Sequence, residues 1–257
     1  MTPTFQFFED VCNELHYSDE AVLPEDTFLS EDMLRDLQDE YEELNPEAVI
    51  PKVLHSLEAH FELRGSKLPF QYDLPTRSFS ISDKAYVEFV ARSSGMRGVP
   101  KESKAFELAT ADRLRQRGVG NLHCVGWPRS KRKDVKSFNA YLQTLGFDEK
   151  VALGKDKDGG FDVLWLLPFG AVPHRPIISF QCKNGSYDIE EAYKSNGATE
   201  MSLGCHLGLS VDVHMICVVF NDYIEKSMLS KKPYHFAPLG LSDLASHFNP
   251  GTTLTIL

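Results

Sequence analysis

Three apolar runs, FDVLWLLP, PIISFQCK and VHMICVVF, constrain the fold of this chain more than any other feature. Each reads as a strand, and segments with helical spacing stand before and between them. Strands alternating with helices imply an α/β body around a central mixed sheet. The middle run has a second property. Side chains alternate across a strand, so Ser179, Gln181 and Lys183 share one face while Ile178, Phe180 and Cys182 share the other. A strand buried on one side should not place three polar groups, one of them a cation, at alternate positions unless that face meets a site. Asp162 opens the preceding run, just after two glycines in DGGFDV. An Asp at the head of one strand, with a Gln and a Lys on its neighbour, is a small metal-and-ammonium constellation.

The rest of the chain divides at about residue 78. Residues 1–78 read as an acidic helical region. Thr2 and Pro3 suit an N-cap and first turn, followed by Phe5, Phe8, Val11 and Leu15 on one stripe. A second helix starts at Ser30 and carries Met33, Leu34, Leu37, Tyr41 and Leu44. A third follows Asn45-Pro46 and is stopped by Gly65, with Pro51 tolerated or kinking it. Residues 65–78 contain two prolines and read as a linker or an irregular crossing. Residues 79–257 read as the α/β domain. It includes a helix over about 82–92, a loop at SSGMRGVP, and a helix over about 103–117 capped by Gly118. NLHCVGW follows as a short strand. The tail YHFAPLGLSDLASHFNPGTTLTIL reads as strand, helix, strand.

Charge separates the same two parts. Residues 1–60 hold sixteen Asp and Glu against two Lys and Arg, whereas the remainder holds 21 acids and 25 bases. An acidic leader thus precedes a mildly basic body. Five scattered cysteines without a CxxC pair read as reduced thiols. Apolar runs are too short to cross a bilayer, and the acidic N-terminus has no secretory pattern, so a cytoplasmic protein is expected.

The order FELATADRLRQRG, DGGFDV, ISFQCK, then a helix, VHMICVVF and DYIEKSM resembles the Mrr-like branch of the PD-(D/E)xK nuclease superfamily over roughly residues 103–230. The resemblance implies a restriction-endonuclease-like core and Mg²⁺-dependent hydrolysis of DNA, with Mn²⁺ as a substitute. It implies Asp162 and Gln181 as metal ligands, the backbone carbonyl of Cys182 as a further contact, and Lys183 as the cation that orients the attacking water. Gln181 stands where many relatives carry an acid. Its neutral oxygen binds a cation more weakly, and Glu107, on the inner face of its helix, is the candidate auxiliary ligand and catalytic carboxylate. Asp158 competes with Asp162 but precedes the glycines. Taken singly, Asp162 also suits a turn, Gln181 and Lys183 a solvated edge strand, and Glu107 a salt-bridged surface acid.

Residues 101–136 hold ten Lys and Arg against four acids. Arg129, Lys131, Arg132 and Lys133 form a basic loop suited to phosphate contacts, or a solvated surface run. Trp127 beside it suits stacking on a base or burial, and Glu191 is a weak further candidate. The expected role is a metal-dependent DNA endonuclease in restriction or antiviral defence. It is expected to act as a homodimer or as a subunit of a multi-protein defence complex, away from membranes. The alternatives are a non-cleaving nucleic-acid-binding or assembly subunit and a repair or RNA nuclease. The acidic leader packs on the body, docks a partner, or covers the basic cleft.

Overall fold

The computed structural model describes residues 1–18, 22–27, 29–120, 122–124, 140, 143–144, 162–167, 177–185, 214–224 and 237–245. They form an α/β fold. The leader builds α1 (Pro3–Tyr17), β1 (Val22–Pro24), α2 (Glu31–Tyr41) and α3 (Pro46–Glu62). β2 (Phe70–Asp73) and β3 (Ser78–Ile81) lead to α4 (Lys84–Met96), α5 (Ser103–Gln116) and β4 (Leu122–Cys124). β5 (Val163–Leu166), β6 (Ile177–Lys183), β7 (His214–Phe220) and β8 (Ala237–Leu239) follow, with a 3₁₀ turn over Leu241–Leu244.

Local chemistry starts and stops these helices. Pro3 opens α1 where a missing N–H costs nothing, and Ser30 Oγ accepts from Met33 N–H at 3.1 Å at the head of α2. Asn45 caps α3, which then runs through Pro51. Asp83 caps α4 by accepting from Tyr86 N–H at 3.0 Å. α5 ends at Gly118, whose φ of +82° lets Val119 N–H reach back to the Leu114 carbonyl at 3.1 Å.

Two readings of the sequence change here. Residues 65–78 are not a plain linker: Phe70–Asp73 pairs antiparallel with Ser78–Ile81, and β1 joins them in a three-stranded sheet ordered β1-β3-β2. The division after residue 78 therefore falls inside β3. The SSGMRGVP segment is not loop from its start either, because α4 continues to Met96. Tertiary contacts hold that extra turn, since Ser94 Oγ donates to Asn13 Oδ1 at 3.2 Å.

The second sheet is mixed, as its alternation with helices implies. β4, β5 and β6 pair antiparallel, while β6, β7 and β8 run parallel. Among the described residues one hydrophobic core joins the leader to the body. Phe5, Phe8, Val11 and Leu15 of α1 sit in the same cluster as Val53 and Phe61 of α3, Val90 of α4, Leu114 of α5, and Phe180 and Val219 of the mixed sheet. The acidic leader thus packs on the body through its apolar stripe. A buried ion pair reinforces this seam: Glu9 of α1 is 2% exposed and is gripped by Arg97 just beyond α4. Cys12, Cys124, Cys182 and Cys217 are free thiols. Among the described residues no helix is long and apolar enough to cross a membrane.

Candidate active site

β6 is central in its sheet, between antiparallel β5 and parallel β7. Ile178, Phe180 and Cys182 belong to the main core or pack against it. Gln181 and Lys183 lie on the other face, both half-buried, with Ser179 fully buried behind them. In register with Gln181 and Lys183 stand Val218 and Phe220 of β7, exposed by 0% and 1%. The polar pair therefore emerges from an apolar floor, where electrostatic interactions are stronger than in open water.

Asp162 lies one residue before β5, beside the Val163–Phe180 pair, and is 9% exposed. Its N–H donates to the Phe180 carbonyl at 3.0 Å, and its Oδ2 accepts from Cys182 N–H at 2.6 Å. A charge-assisted bond to a backbone donor fixes the carboxylate against β6. A residue in an extended strand directs its N–H and C=O to the same edge. The Cys182 carbonyl is thus on the Asp162 side of β6.

Glu107 reaches the neighbourhood from α5, which packs on the Cys182 face of the sheet. Lys104 Nζ donates to its Oε2 at 2.7 Å, one turn earlier on the same helix, and its side chain is 16% exposed. Burial pushes the Cys182 thiol well above its ordinary pKa, and the Asp162 and Glu107 carboxylates push it the same way. That thiol therefore stays neutral. Asp162 comes next to Gln181 in the β5–β6 register and its carboxylate accepts from Cys182 N–H, while the Cys182 thiol and Glu107 lie on the α5 face of β6 and Gln181 and Lys183 on the other. Arg129, Lys131, Arg132, Lys133, Trp127, Asp158 and Glu191 lie outside the described residues.

Two asparagines belong to this framework and were not singled out from the sequence. Asn184 follows Lys183, and Asn221 follows Phe220. Asn184 Nδ2 donates to the Met96 and Val99 carbonyls at 2.7 and 3.1 Å, and Asn221 Nδ2 donates to the Ser93 carbonyl and Asn184 Oδ1, both at 2.8 Å. Asn221 N–H also donates to the Lys183 carbonyl at 2.9 Å. The ends of the two parallel strands are thereby stitched to the end of α4, which fixes the backbone that carries Lys183. The available signal was an Asn immediately after each strand.

Hard oxygen donors suit a Mg²⁺ ion that keeps several of its waters. The Asp162 carboxylate, the Gln181 amide oxygen and the Cys182 carbonyl are donors of that kind. Among the described residues no group of three or more His, Cys, Asp and Glu side chains is gathered as a metal cage. Oxygen donors of this kind fit Mg²⁺ better than Zn²⁺, whose structural sites are closed by nitrogen and sulfur ligands.

No family model and no curated protein matches this chain. Among solved structures it is similar to protein VC1899 from Vibrio cholerae at a TM-score of 0.26 and 9% identity, over 96% of this chain and 50% of that one. The chain spans about half the length of that protein, and a likeness of this size carries no argument.

Proposed function

We propose that the chain is a metal-dependent DNA endonuclease with a restriction-endonuclease-like core, acting in restriction or antiviral defence. The observation that carries the reading is the Asp162 carboxylate fixed to Cys182 N–H at 2.6 Å, beside a strand that offers Gln181 and Lys183 at alternate positions. Asp162, the Gln181 amide oxygen and the Cys182 carbonyl would hold Mg²⁺ or Mn²⁺. Bound there, the ion supplies positive charge at the scissile phosphate and lowers the pKa of a coordinated water.

The remaining roles belong to the chain itself. Lys183 keeps its ammonium on the Gln181 face, where it orients the attacking water and offsets charge on the phosphate. The apolar floor of Val218 and Phe220 limits competing solvent. Glu107, held by Lys104, is the auxiliary carboxylate, offered from the Cys182 face of β6 rather than from beside Gln181. The basic residues Arg129, Lys131, Arg132 and Lys133 add salt-dependent contacts to the DNA backbone. A homodimer or a larger defence complex in the cytoplasm would bring two such sites to the two strands.

One observation favours a second reading, in which the fold binds nucleic acid without cutting it: Gln181 is neutral where an acid would bind metal more tightly. Calorimetric titration with Mg²⁺ and Mn²⁺ separates the two. The endonuclease reading predicts binding heat that disappears in Asp162→Asn. Heat that is absent, or unchanged in Asp162→Asn, removes the metal site.

A further inference from the structure

A groove runs between the end of α1 and the end of α4, away from the constellation but joined to it. It encloses about 480 Å³ and is lined by Tyr17, Arg92, Gly95, Met96, Lys101 and Glu102 among others. Tyr17 closes α1 with 71% of its surface exposed, and His16 meets its ring edge-on at 4.6 Å. Arg92 is half exposed and pairs with the equally exposed Glu88 one turn earlier at 3.9 Å. Lys101 is exposed on the far wall, with Glu102 half-buried beside it.

The wall of this groove leads to the candidate site. Asn184, the residue after Lys183, donates to the Met96 and Val99 carbonyls and accepts from Gly98 N–H at 3.1 Å. An exposed aromatic ring sharing a groove with two cations is the chemistry that holds unpaired nucleotides: the ring stacks on a base and the cations take phosphates. A duplex offers no free base face at such a ring.

We propose that this groove holds an unpaired DNA strand running to or from the Lys183 end of the site, with Tyr17 stacked on a base and Arg92 and Lys101 on the adjacent phosphates. The choice of DNA rests on the endonuclease reading. The groove's affinity for a single strand does not, because binding is measured without cleavage.

Fluorescence anisotropy of a labelled oligothymidylate of about 20 nucleotides, titrated with the full chain in EDTA, reads that binding. Tyr17→Ala should weaken it about 10-fold, while Tyr17→Phe, which keeps the ring, should retain it. The double variant Arg92→Glu/Lys101→Glu should lower the slope of log affinity against log salt by about 1.4, for two lost single-strand phosphate contacts. All three positions are exposed, and unchanged thermal melts of the variants identify a binding effect. An affinity within about twofold of wild type for Tyr17→Ala, with an unchanged salt slope for the double variant, overturns the proposal. So does tighter binding of oligouridylate or of duplex, or no binding by the wild type. Asp162→Asn should bind the oligonucleotide like wild type, so a failed cleavage assay leaves this result standing.

Discussion

Arg97→Ala should cut a buried electrostatic tie between the acidic leader and the body. Arg97 Nη1 donates to Glu9 Oε2 at 3.0 Å, its Nη2 bonds the other carboxylate oxygen, and its Nε donates to the Asn221 carbonyl at 2.6 Å. Glu9 is 2% exposed, so the substitution leaves a buried carboxylate and a backbone carbonyl without their cation. Removing one partner of a buried pair costs about 3–5 kcal/mol. That is a large part of the stability of about 5–15 kcal/mol usual for a domain. The pH dependence gives a sharper check. Burial already raises the Glu9 carboxyl above its ordinary value of 4.5, and Arg97 opposes that rise. Without Arg97 the folded-state pKa climbs further. A carboxyl whose folded pKa is raised stabilises fully below the unfolded pKa and loses that contribution as pH rises through the folded one. The deficit of Arg97→Ala should therefore be widest near about pH 7–8 and shrink toward about pH 5. Urea unfolding followed by circular dichroism across this range measures it, with Glu9→Gln/Arg97→Met as the variant in which the isolated charge is gone. A loss below about 1 kcal/mol at neutral pH, or a deficit independent of pH, refutes the argument.

Other positions yield independent expectations. Burial and the neighbouring Arg64 push the pKa of His60 down to about 4, while its Nε2 hydrogen-bonds Ser242 Oγ at 2.8 Å. The unfolded chain then takes up the proton first, so stability should fall as pH drops from about 6.5 toward 4, by about 1–2 kcal/mol once screening at a half-buried ring is allowed for, and His60→Gln should flatten that decline in denaturant melts. Gly240→Ala places a Cβ 2.9 Å from both the Asp222 carbonyl oxygen and the Ile224 nitrogen, so it should cost about 1–3 kcal/mol by the same assay. Asn184→Ala strips donors from the Met96 and Val99 carbonyls and should cost about 1–3 kcal/mol, with turnover falling further than oligonucleotide affinity.

What the sequence reveals here depends on how local the determinant is. The alternation in PIISFQCK is a property of one strand, so the separation of Gln181 and Lys183 from Phe180 and Cys182 was legible before any fold. Ser30, Asn45 and Gly118 act within a turn of themselves, and the helix limits they set were legible too. The hairpin over residues 70–81 was not, because its strands are four residues long and its register, Phe70 with Ile81 and Tyr72 with Phe79, is visible only as a pair. The last turn of α4 reads as loop from Ser93, Ser94 and Gly95, yet Asn13 and Asn221 hold it from elsewhere in the chain. Counting acids set the leader apart, although its phenylalanines enter the core of the body. Charge lies on the surface and says little about where an apolar stripe is buried. Asn184 and Asn221 gain their roles only when two parallel strands end side by side.

The central claim concerns the chemistry at Asp162 and Lys183. Supercoiled plasmid incubated with the purified chain in Mg²⁺, Mn²⁺ or EDTA, alongside Asp162→Asn and Lys183→Ala, tests it most directly. The account predicts nicking or linearisation by the wild type in either metal, none in EDTA, and a loss of at least about 100-fold in each variant. Cleavage that persists in EDTA, or that survives both substitutions, would contradict it.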